Sequence, residues 1–283
     1  MSKGYVILAQ NSDRGDYLTM AYTLALSIKA TQKKINSVSL ITDVVDAVPQ
    51  HYRAVFDHII EIPWFDDALQ SAWKIENRWK IYHITPYEET VVLDADMLFL
   101  TDVSHWWKYL SKNHEMCFVN SPITYRNEVI TETYYRKVFV DNNLPNFYSA
   151  FMYFKKCDLA EQYWKMVEVV TKHWKIFYST YLPESRPNHL SMDVVFSLAA
   201  KIMNIQDYMI PTNHITFVHM KGRCQNWKLN SDDWRNYAAA YIDKRGNLKV
   251  GNHKQTGIFH YTEKEFVFVA QNVFENLYKE LST

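Results

Sequence analysis

Asp94 and Asp96 are separated only by Ala95, and apolar residues flank the three on both sides. An unpaired carboxylate is costly to bury, so each aspartate needs a cation or a set of hydrogen-bond donors. Carboxylate oxygens are the ligands that Mg²⁺ and Mn²⁺ prefer, and an Asp-x-Asp turn leaves coordination positions open for the oxygens of a diphosphate. The small Ala95 would let a ribose or a phosphate approach closely. The pattern therefore predicts a divalent-metal site.

A structural interpretation of the same two carboxylates stays open at this point. They could cap a helix that follows them, or they could form ion pairs with Arg78 and Lys80. An isolated Asp-x-Asp pattern is weak evidence for a metal site. The elements that surround the pattern must decide between the two interpretations.

The first hundred residues alternate between short apolar runs and segments with helical spacing. Helical spacing begins at Tyr17, Pro49 and Ile75. Strands that are separated by helices pair in parallel and carry helices on both faces of the sheet. We therefore predict an α/β fold with a mostly parallel central sheet. The apolar runs predict strands over residues 5–10, 38–42, 59–62 and 90–93.

Three of these predicted strands are followed by polar residues, namely Asn11, Asp43 and Asp94. Ligands of a parallel sheet bind beyond the carboxyl ends of its strands. Asp94 and Asp96 are therefore expected at the ligand-binding edge of the sheet, which favours the metal interpretation.

The second half of the chain is less regular, and we find no internal repeat. Two of its predicted strands contain a histidine, His219 in one and His260 in the other. The predicted helices cover residues 106–110, 124–146, 159–174 and 192–203. The predicted strands cover residues 115–119, 150–154, 215–220 and 257–261.

The composition indicates an ordered globular protein. Hydrophobic residues make up 48% of the 283 residues, and the 6 glycines and 8 prolines form no low-complexity linker, so we predict one domain over 1–283. The 31 basic and 31 acidic residues balance, so no global field favours a nucleic acid or a membrane as partner. Aromatic residues reach 16%, and they could stack on sugars and bases or fill the core.

The cysteines and the N-terminal residues indicate the cellular compartment in which the protein is expected. Cys117, Cys157 and Cys224 are odd in number and widely spaced, which is typical of reduced thiols in a cytosolic protein. The apolar run at residues 5–9 is too short for a secretory signal. No stretch approaches the roughly 18 apolar residues that span a bilayer. We therefore expect a soluble, cytoplasmic protein.

The sequence around the Asp-x-Asp pattern resembles a known family. Residues 79–100, which include Trp79-Lys80 and Asp94-Ala95-Asp96, are similar to the core of family 8 glycosyltransferases, the glycogenin-like enzymes of the GT-A fold. The N-terminal strand followed by Asn11 and Tyr17 matches the family as well. The resemblance implies a GT-A fold with a nucleotide-binding half at 1–110 and a half for acceptor and donor sugar at 111–283.

Three further matches follow in the order of the family. Residues 147–153 resemble its Phe-Asn-Ser-Gly strand, and Met192-Asp193 lies where the family has an Asp-Gln pair. His219 to Trp227 has the spacing of its His-x-x-Gly-x-x-Lys-Pro-Trp motif. Residues 74–82 and 257–264 are also similar to glycosyltransferases encoded by tailed bacteriophages, which would work in the host cytoplasm.

The resemblance implies a role for each matched residue on the nucleotide and metal side. Ala9, Asn11 and Tyr17 would line the uracil and ribose pocket, with Tyr17 stacked on the base. Asp94, Asp96 and His219 would bind Mn²⁺ or Mg²⁺, with His219 as a neutral ligand. His260 follows a similar apolar strand and is a rival for the third ligand, although the spacing favours His219.

Other matched residues would contact the donor. Lys80 or Arg78 would touch the phosphates or the sugar, and Lys80 is a candidate catalytic residue. Asp193 would face the donor sugar near the reacting carbon and stabilise an oxocarbenium-like centre. Gly222 would let the backbone approach a phosphate.

The chain departs from the family pattern at several positions, which leaves the donor sugar open. Tyr148 and Ala150 replace the family's Asn and Gly, and Val194 replaces its Gln. Gln225-Asn226 replaces Lys-Pro, so that a phosphate-binding lysine is missing. Lys221 or Lys228 could substitute for it.

The resemblance implies a metal-dependent, retaining transfer of a hexosyl or pentosyl group from a UDP-sugar to a hydroxyl group. The acceptor could be a hydroxymethylated pyrimidine in DNA, a glycan or a protein. A DNA acceptor would need a basic aromatic groove, for which residues 134–137 and 221–223 are candidates, although they could equally form solvated surface. A nucleotidyltransferase and a catalytically silent sugar-binding module remain alternatives. The oligomeric state stays open.

Overall fold

The structure is a computed structural model that describes residues 1–211, 215–227 and 231–282. Its strands are β1 (Lys3–Leu8), β2 (Val38–Thr42), β3 (His58–Glu61), β4 (Glu89–Leu93), β5 (Met97–Phe99), β6 (Met116–Val119), β7 (Tyr148–Lys155), β8 (Val218–His219), β9 (Ala240–Ile242), β10 (Leu248–Val250), β11 (His253–Lys254) and β12 (Ile258–His260). Its α-helices are α1 (Tyr17–Thr31), α2 (Gln50–Arg53), α3 (Ile81–Ile84), α4 (His105–Asn113), α5 (Lys137–Asp141), α6 (Asp158–Lys172), α7 (Trp174–Tyr181), α8 (Met192–Met203) and α9 (Val267–Ser282).

The central sheet has the strand order β3-β2-β1-β4-β7-β6 within the described residues. The first four strands of the chain pair in parallel, as their separation by helical segments predicts. β7 lies antiparallel between β4 and β6, which the sequence did not predict. The mostly parallel α/β architecture is confirmed.

A short second sheet has the order β5-β12-β8. β5 and β12 are antiparallel, with Met97 opposite His260. β8 and β12 are parallel, with His219 opposite His260. This pairing brings the two late histidines to the residues that follow β4, although more than 120 positions separate them in the sequence.

The hydrophobic core covers both faces of the central sheet. Successive side chains of a strand point to opposite faces. Val91 packs in one cluster, with Tyr5 and Phe99, whereas Val92 packs in the other, with Trp164. β4 is buried on both faces, and its last three residues, Val91 to Leu93, are accordingly all apolar and do not alternate with polar residues.

Two predicted helices differ from the structure. Residues 124–146 are mostly irregular, with only Lys137–Asp141 helical, because Thr124 begins a turn in which Asn127 takes a positive φ of 64°. The Thr124 hydroxyl accepts a hydrogen bond from the Arg126 amide at 3.2 Å, which competes with helix formation. The helical segment predicted to begin at Ile75 is a 3₁₀ turn, Glu76–Lys80, that runs into the four-residue helix α3.

Among the residues that the structure describes, no helix is both long and apolar enough to cross a lipid bilayer. Cys117, Cys157 and Cys224 are free thiols, and the first and last of them are buried.

Gly4 lies in the central strand β1 directly under the ring of Tyr87. A Cβ on Gly4 would be 2.3 Å from Cζ of Tyr87, which is a contact that real side chains do not make. We predict that Gly4→Ala lowers the free energy of unfolding by about 1–3 kcal/mol, as overpacking does in other cores. Urea denaturation would measure the loss. In a Tyr87→Ala background the same substitution should cost much less, and two strictly additive losses would contradict the steric explanation.

Candidate functional site

Two adjoining cavities, of about 340 and 480 Å³, open at the carboxyl ends of β1 and β4. The first extends toward Gln10 and Tyr17, and the second toward His219 and His260. Both are bordered by Trp73, Asp94, Asp96, Tyr135, Ser149, Asp193, Lys221 and Lys264. The cavities lie at the edge of the sheet where the sequence predicts ligand binding.

Asp94 and Asp96 lie in the turn by which the chain passes from the central sheet to the second sheet. The Asp94 amide donates to the carbonyl of Ala150 in β7 at 3.1 Å, which continues the β4–β7 pairing by one residue. The Asp96 carbonyl accepts from the amide of Tyr261 at 3.1 Å. Because backbone bonds hold both ends of the turn, the two carboxylates have fixed positions on the cavity wall.

Asp94, Asp96 and His260 form a group whose potential ligand atoms all lie within 4.8 Å of one another. Nε2 of His260 is 3.2 Å from Oδ1 of Asp96 and 4.0 Å from Oδ2 of Asp94. Carboxylate oxygens with an imidazole nitrogen suit a divalent transition metal or Mg²⁺. These three residues could hold a metal ion.

The second oxygen of each carboxylate is bound to a cationic side chain. Oδ1 of Asp94 pairs with the Arg78 guanidinium, and Oδ2 of Asp96 pairs with the Lys264 ammonium at 2.5 Å. Of the structural roles considered for the two aspartates, the ion pair with Arg78 is therefore present. No helix cap is involved, because β5 and not a helix follows Asp96.

The buried Asp96–Lys264 pair has shifted protonation equilibria. Burial alone would raise the pKa of Asp96, but the neighbouring Lys264 and His260 hold it well below its usual value. Burial alone would lower the pKa of Lys264, but the charge of Asp96 raises it above its usual value. Both groups are therefore charged at neutral pH.

His219 stacks on His260, with ring centroids 4.8 Å apart, and lies outside the Asp94–Asp96–His260 group. Burial and then the neighbouring His260 lower the pKa of His219 well below its usual value, so its ring is neutral. Phe217 and Tyr148 contact the ring edge-on. Nδ1 of each histidine is buried and has no hydrogen-bond partner among the described residues.

Asp193 reaches the cavities from the first turn of α8. Its Oδ1 accepts from the Ser149 amide at 2.8 Å, and its Oδ2 accepts from the Arg136 guanidinium at 2.5 Å. Burial alone would raise the pKa of Asp193, but Arg136 and the Ser149 hydrogen bonds lower it. Asp193 therefore presents an ionised carboxylate.

On the nucleotide side, the structure places Tyr17 in the cavity wall, with the Lys264 ammonium 5.0 Å from its ring centroid. Ala9 is fully buried in the core, and its neighbour Gln10 borders the cavity instead. Asn11 stabilises the start of α1, because its Oδ1 accepts from the Leu18 amide at 2.9 Å. The structure thus brings Tyr17 to the site but not Ala9 or Asn11.

Arg78 borders the cavity, whereas Lys80 does not. The buried Lys80 ammonium donates to the carbonyls of Pro63 and Phe65 and forms an ion pair with Asp67 at 3.3 Å. Lys80 therefore holds the loop at residues 63–67.

Of the residues near the His-x-x-Gly motif, Lys221 borders both cavities and donates to the Tyr135 hydroxyl. Gly222 is buried, and a Cβ there would lie 2.3 Å from the carbonyl oxygen of Ser231. The close approach at Gly222 is to its own chain. Lys228 lies outside the described residues.

Several residues that border the site have no role assigned from the sequence, above all Lys264, Trp73 and Ser149, and Tyr135 is predicted only as part of a candidate DNA groove. A signal existed for Lys264, since it follows the strand of His260 by four residues. Arg136, which binds Asp193, lies within residues 134–137, and its local sequence does not indicate a pairing with a residue 57 positions away.

Measurements of metal affinity can distinguish the roles of His219 and His260. We predict that His260→Ala weakens Mn²⁺ binding about tenfold or more, because its Nε2 faces both aspartates, while His219→Ala has a much smaller effect. Isothermal titration calorimetry of both variants and of Asp96→Asn would measure the affinities. A larger loss for His219→Ala than for His260→Ala would reverse the assignment.

No protein-family model and no curated protein matches this chain. Among solved structures, the chain is similar to mouse xyloside xylosyltransferase 1 in its apo form, with a TM-score of 0.52, 12% identity and coverage of 92% of this chain and 97% of the other. It is also similar to the galactosyltransferase LgtC, solved with donor and acceptor sugar analogs, with a TM-score of 0.51, 13% identity and coverage of 99% and 96%. These neighbours are GT-A-type glycosyltransferases. The chain therefore has the GT-A fold, with an Asp-Asp-His group at its ligand-binding edge.

Proposed function

We propose that this protein is a metal-dependent glycosyltransferase that moves a sugar from a UDP-sugar to a hydroxyl group. The observation that carries the proposal is the convergence of Asp94, Asp96 and His260 on a cavity at the binding edge of a GT-A fold. Neither the motif nor the fold alone would suffice, since folds host unrelated functions.

Asp94, Asp96 and His260 are our proposed ligands for Mn²⁺ or Mg²⁺, with His260 in place of His219. The donor set fits, because each aspartate directs one oxygen toward Nε2 of His260 while its other oxygen is bound by Arg78 or Lys264. A bound divalent ion would neutralise charge on the departing diphosphate.

The charges around the cavity support an anionic donor. Arg78, Lys221 and Lys264 all border the first cavity, where their cationic groups would attract the oxygens of a diphosphate. Tyr17, at the end of this cavity, is our candidate for stacking on the uracil ring. In this orientation the sugar would lie toward Asp193, which we propose as the residue that stabilises positive charge at the anomeric carbon.

The transfer breaks the bond between the anomeric carbon and the diphosphate oxygen and forms a bond from that carbon to the acceptor oxygen. UDP leaves with the bonding electrons, and the hydroxyl proton is released to solvent. With water as acceptor, the products are UDP, the free sugar and a proton. Retention of the anomeric configuration remains our proposal from the family resemblance.

A glycan is our proposed acceptor, in preference to DNA. Trp73 and Tyr135 are exposed aromatic rings that border both cavities, and aromatic faces pack well against sugar rings. A DNA groove would need several free cations near residues 134–137, but Arg136 is buried and paired with Asp193, which leaves Lys137 as the only exposed cation within this segment. Arg223 is paired with Asp232 at 3.2 Å.

We predict that the purified protein hydrolyses a UDP-sugar only when Mn²⁺ or Mg²⁺ is present. The panel would contain UDP-glucose, UDP-galactose and UDP-xylose, with UDP release as the readout and proton NMR of the first-formed sugar as the test of retention. Asp96→Asn should lower the rate about 100-fold or more, since it removes a charged ligand of the metal. Asp102→Asn is the matched control, because Asp102 borders neither cavity of the site.

Other outcomes would separate the competing functions. Metal-dependent thermal stabilisation by UDP-sugars without any turnover would indicate a binding module. Release of pyrophosphate from UTP would indicate a nucleotidyltransferase. Hydrolysis that survives EDTA or Asp96→Asn unchanged would refute the metal role.

The acceptor proposal has its own test. Trp73→Ala and Tyr135→Ala should raise KM for a glycan acceptor about tenfold, because each removes one stacking face, while hydrolysis in water should change little. Tyr134→Ala is the matched control, since this exposed tyrosine borders neither cavity. Equal transfer to a hydroxymethylated DNA oligonucleotide and to glycans would contradict the preference.

A further inference from the structure

We infer that Arg136 is a positioning residue that sets the orientation of the Asp193 carboxylate, an inference that rests on the proposed function of this site. Arg136 is only 4% exposed, and all three of its guanidinium nitrogens donate hydrogen bonds. One Nη donates to Oδ2 of Asp193 at 2.5 Å, and Nε donates to Oδ1 of Asn146 at 2.7 Å. The other Nη donates to the carbonyl of Phe147.

The plane of the guanidinium is fixed by two aromatic rings. Its Cζ lies 3.5 Å from the ring centroid of Phe139 and 4.1 Å from that of Tyr148. A stacked guanidinium that also makes directed hydrogen bonds has little rotational freedom. The position of its Nη therefore dictates where Oδ2 of Asp193 lies.

Asp193 is held from its other side as well. Oδ1 accepts from the Ser149 amide, and the Ser149 hydroxyl accepts from Arg78 at 2.9 Å. Arg78 in turn pairs with Asp94, which links Asp193 to the proposed metal site. Arg136 lies at the end of this series of contacts that is farthest from Asp94.

Arg136 acts through Asp193 and not on the substrate, because it borders neither cavity. Among the described residues, Asp193 is the only carboxylate within 4.0 Å of a guanidinium nitrogen of Arg136. A buried charge is costly unless an opposite charge and hydrogen bonds compensate it, and for Arg136 the opposite charge is that of Asp193. A purely packing role between Phe139 and Tyr148 would be met by an apolar side chain of similar length.

The test compares Arg136→Met, Arg136→Lys, Asp193→Asn and the double variant Arg136→Met/Asp193→Asn. The readouts are kcat and KM for the UDP-sugar that the wild-type protein hydrolyses fastest, with the dissociation constants of that UDP-sugar and of UDP from calorimetry. Arg126→Met is the matched control, because Arg126 also stacks on an aromatic ring, Trp227 at 4.1 Å, but borders neither cavity.

We expect Arg136→Met to lower kcat about tenfold or more with little change in the affinity for UDP, since a misplaced carboxylate loses its effect on the reacting carbon. The ratio of the dissociation constant of UDP to that of the UDP-sugar should also decrease, because the contact between Asp193 and the sugar is weakened. Arg136→Lys keeps the positive charge but lacks the planar set of donors of a guanidinium. It should therefore show smaller losses than Arg136→Met in both kcat and the affinity ratio. In the Asp193→Asn background, Arg136→Met should have almost no further effect on the UDP-sugar to UDP affinity ratio.

Three results would overturn the inference. They are an Arg136→Met protein with wild-type kcat, a loss of equal size in the Asp193→Asn background, and a loss that appears equally in the affinity for UDP. If Arg136→Met fails to fold, the kinetics of Arg136→Lys provide the test. Wild-type kinetics for Arg136→Lys would then contradict the inference. A wild-type protein that hydrolyses none of the UDP-sugars would instead refute the proposed function, and the inference with it.

Discussion

The arrangement of the site depends on compensating the charge of two aspartates in a turn between buried strands. Asp94 and Asp96 follow β4 and precede β5, and both strands are fully buried. A carboxylate in such a place is stable only if its oxygens meet donors or cations. Arg78, Lys264 and His260 supply them from three separate elements. The same arrangement leaves one oxygen of each carboxylate directed toward the imidazole, where a metal ion could bind.

Charge compensation also explains how the rest of the edge is organised. Asp193 has one oxygen on Arg136 and the other on the Ser149 amide, so it too is ionised and held in one orientation. Arg136 and the Ser149 amide thus hold Asp193, while Arg78 and Lys264, which border the cavity, hold Asp94 and Asp96. Lys221 borders the cavity as well, so cationic side chains line it beside the carboxylates.

The sequence by itself determined the features that local physics controls. Short apolar runs separated by helical spacing predicted the four parallel strands β1 to β4, because strands that pair in parallel are joined by helices and bury most of their side chains. The position of Asp94 and Asp96 at a strand end followed from the same pattern. It placed them at the binding edge, since ligands of such sheets bind at the carboxyl ends of the strands. The GT-A fold followed from the family resemblance.

Only the tertiary structure decided which distant residues meet these aspartates. His219 and His260 are both histidines at the end of a short apolar strand, and the pairing of β12 with β5 places His260 beside Asp96 and leaves His219 stacked behind it. Lys80 and Arg78 are two residues apart, but only Arg78 reaches the cavity. Strand pairing and the direction of a side chain depend on contacts between residues far apart in the sequence, which local spacing does not encode. The Asp-Ala-Asp turn was therefore readable from the sequence, whereas the identity of its third partner was not.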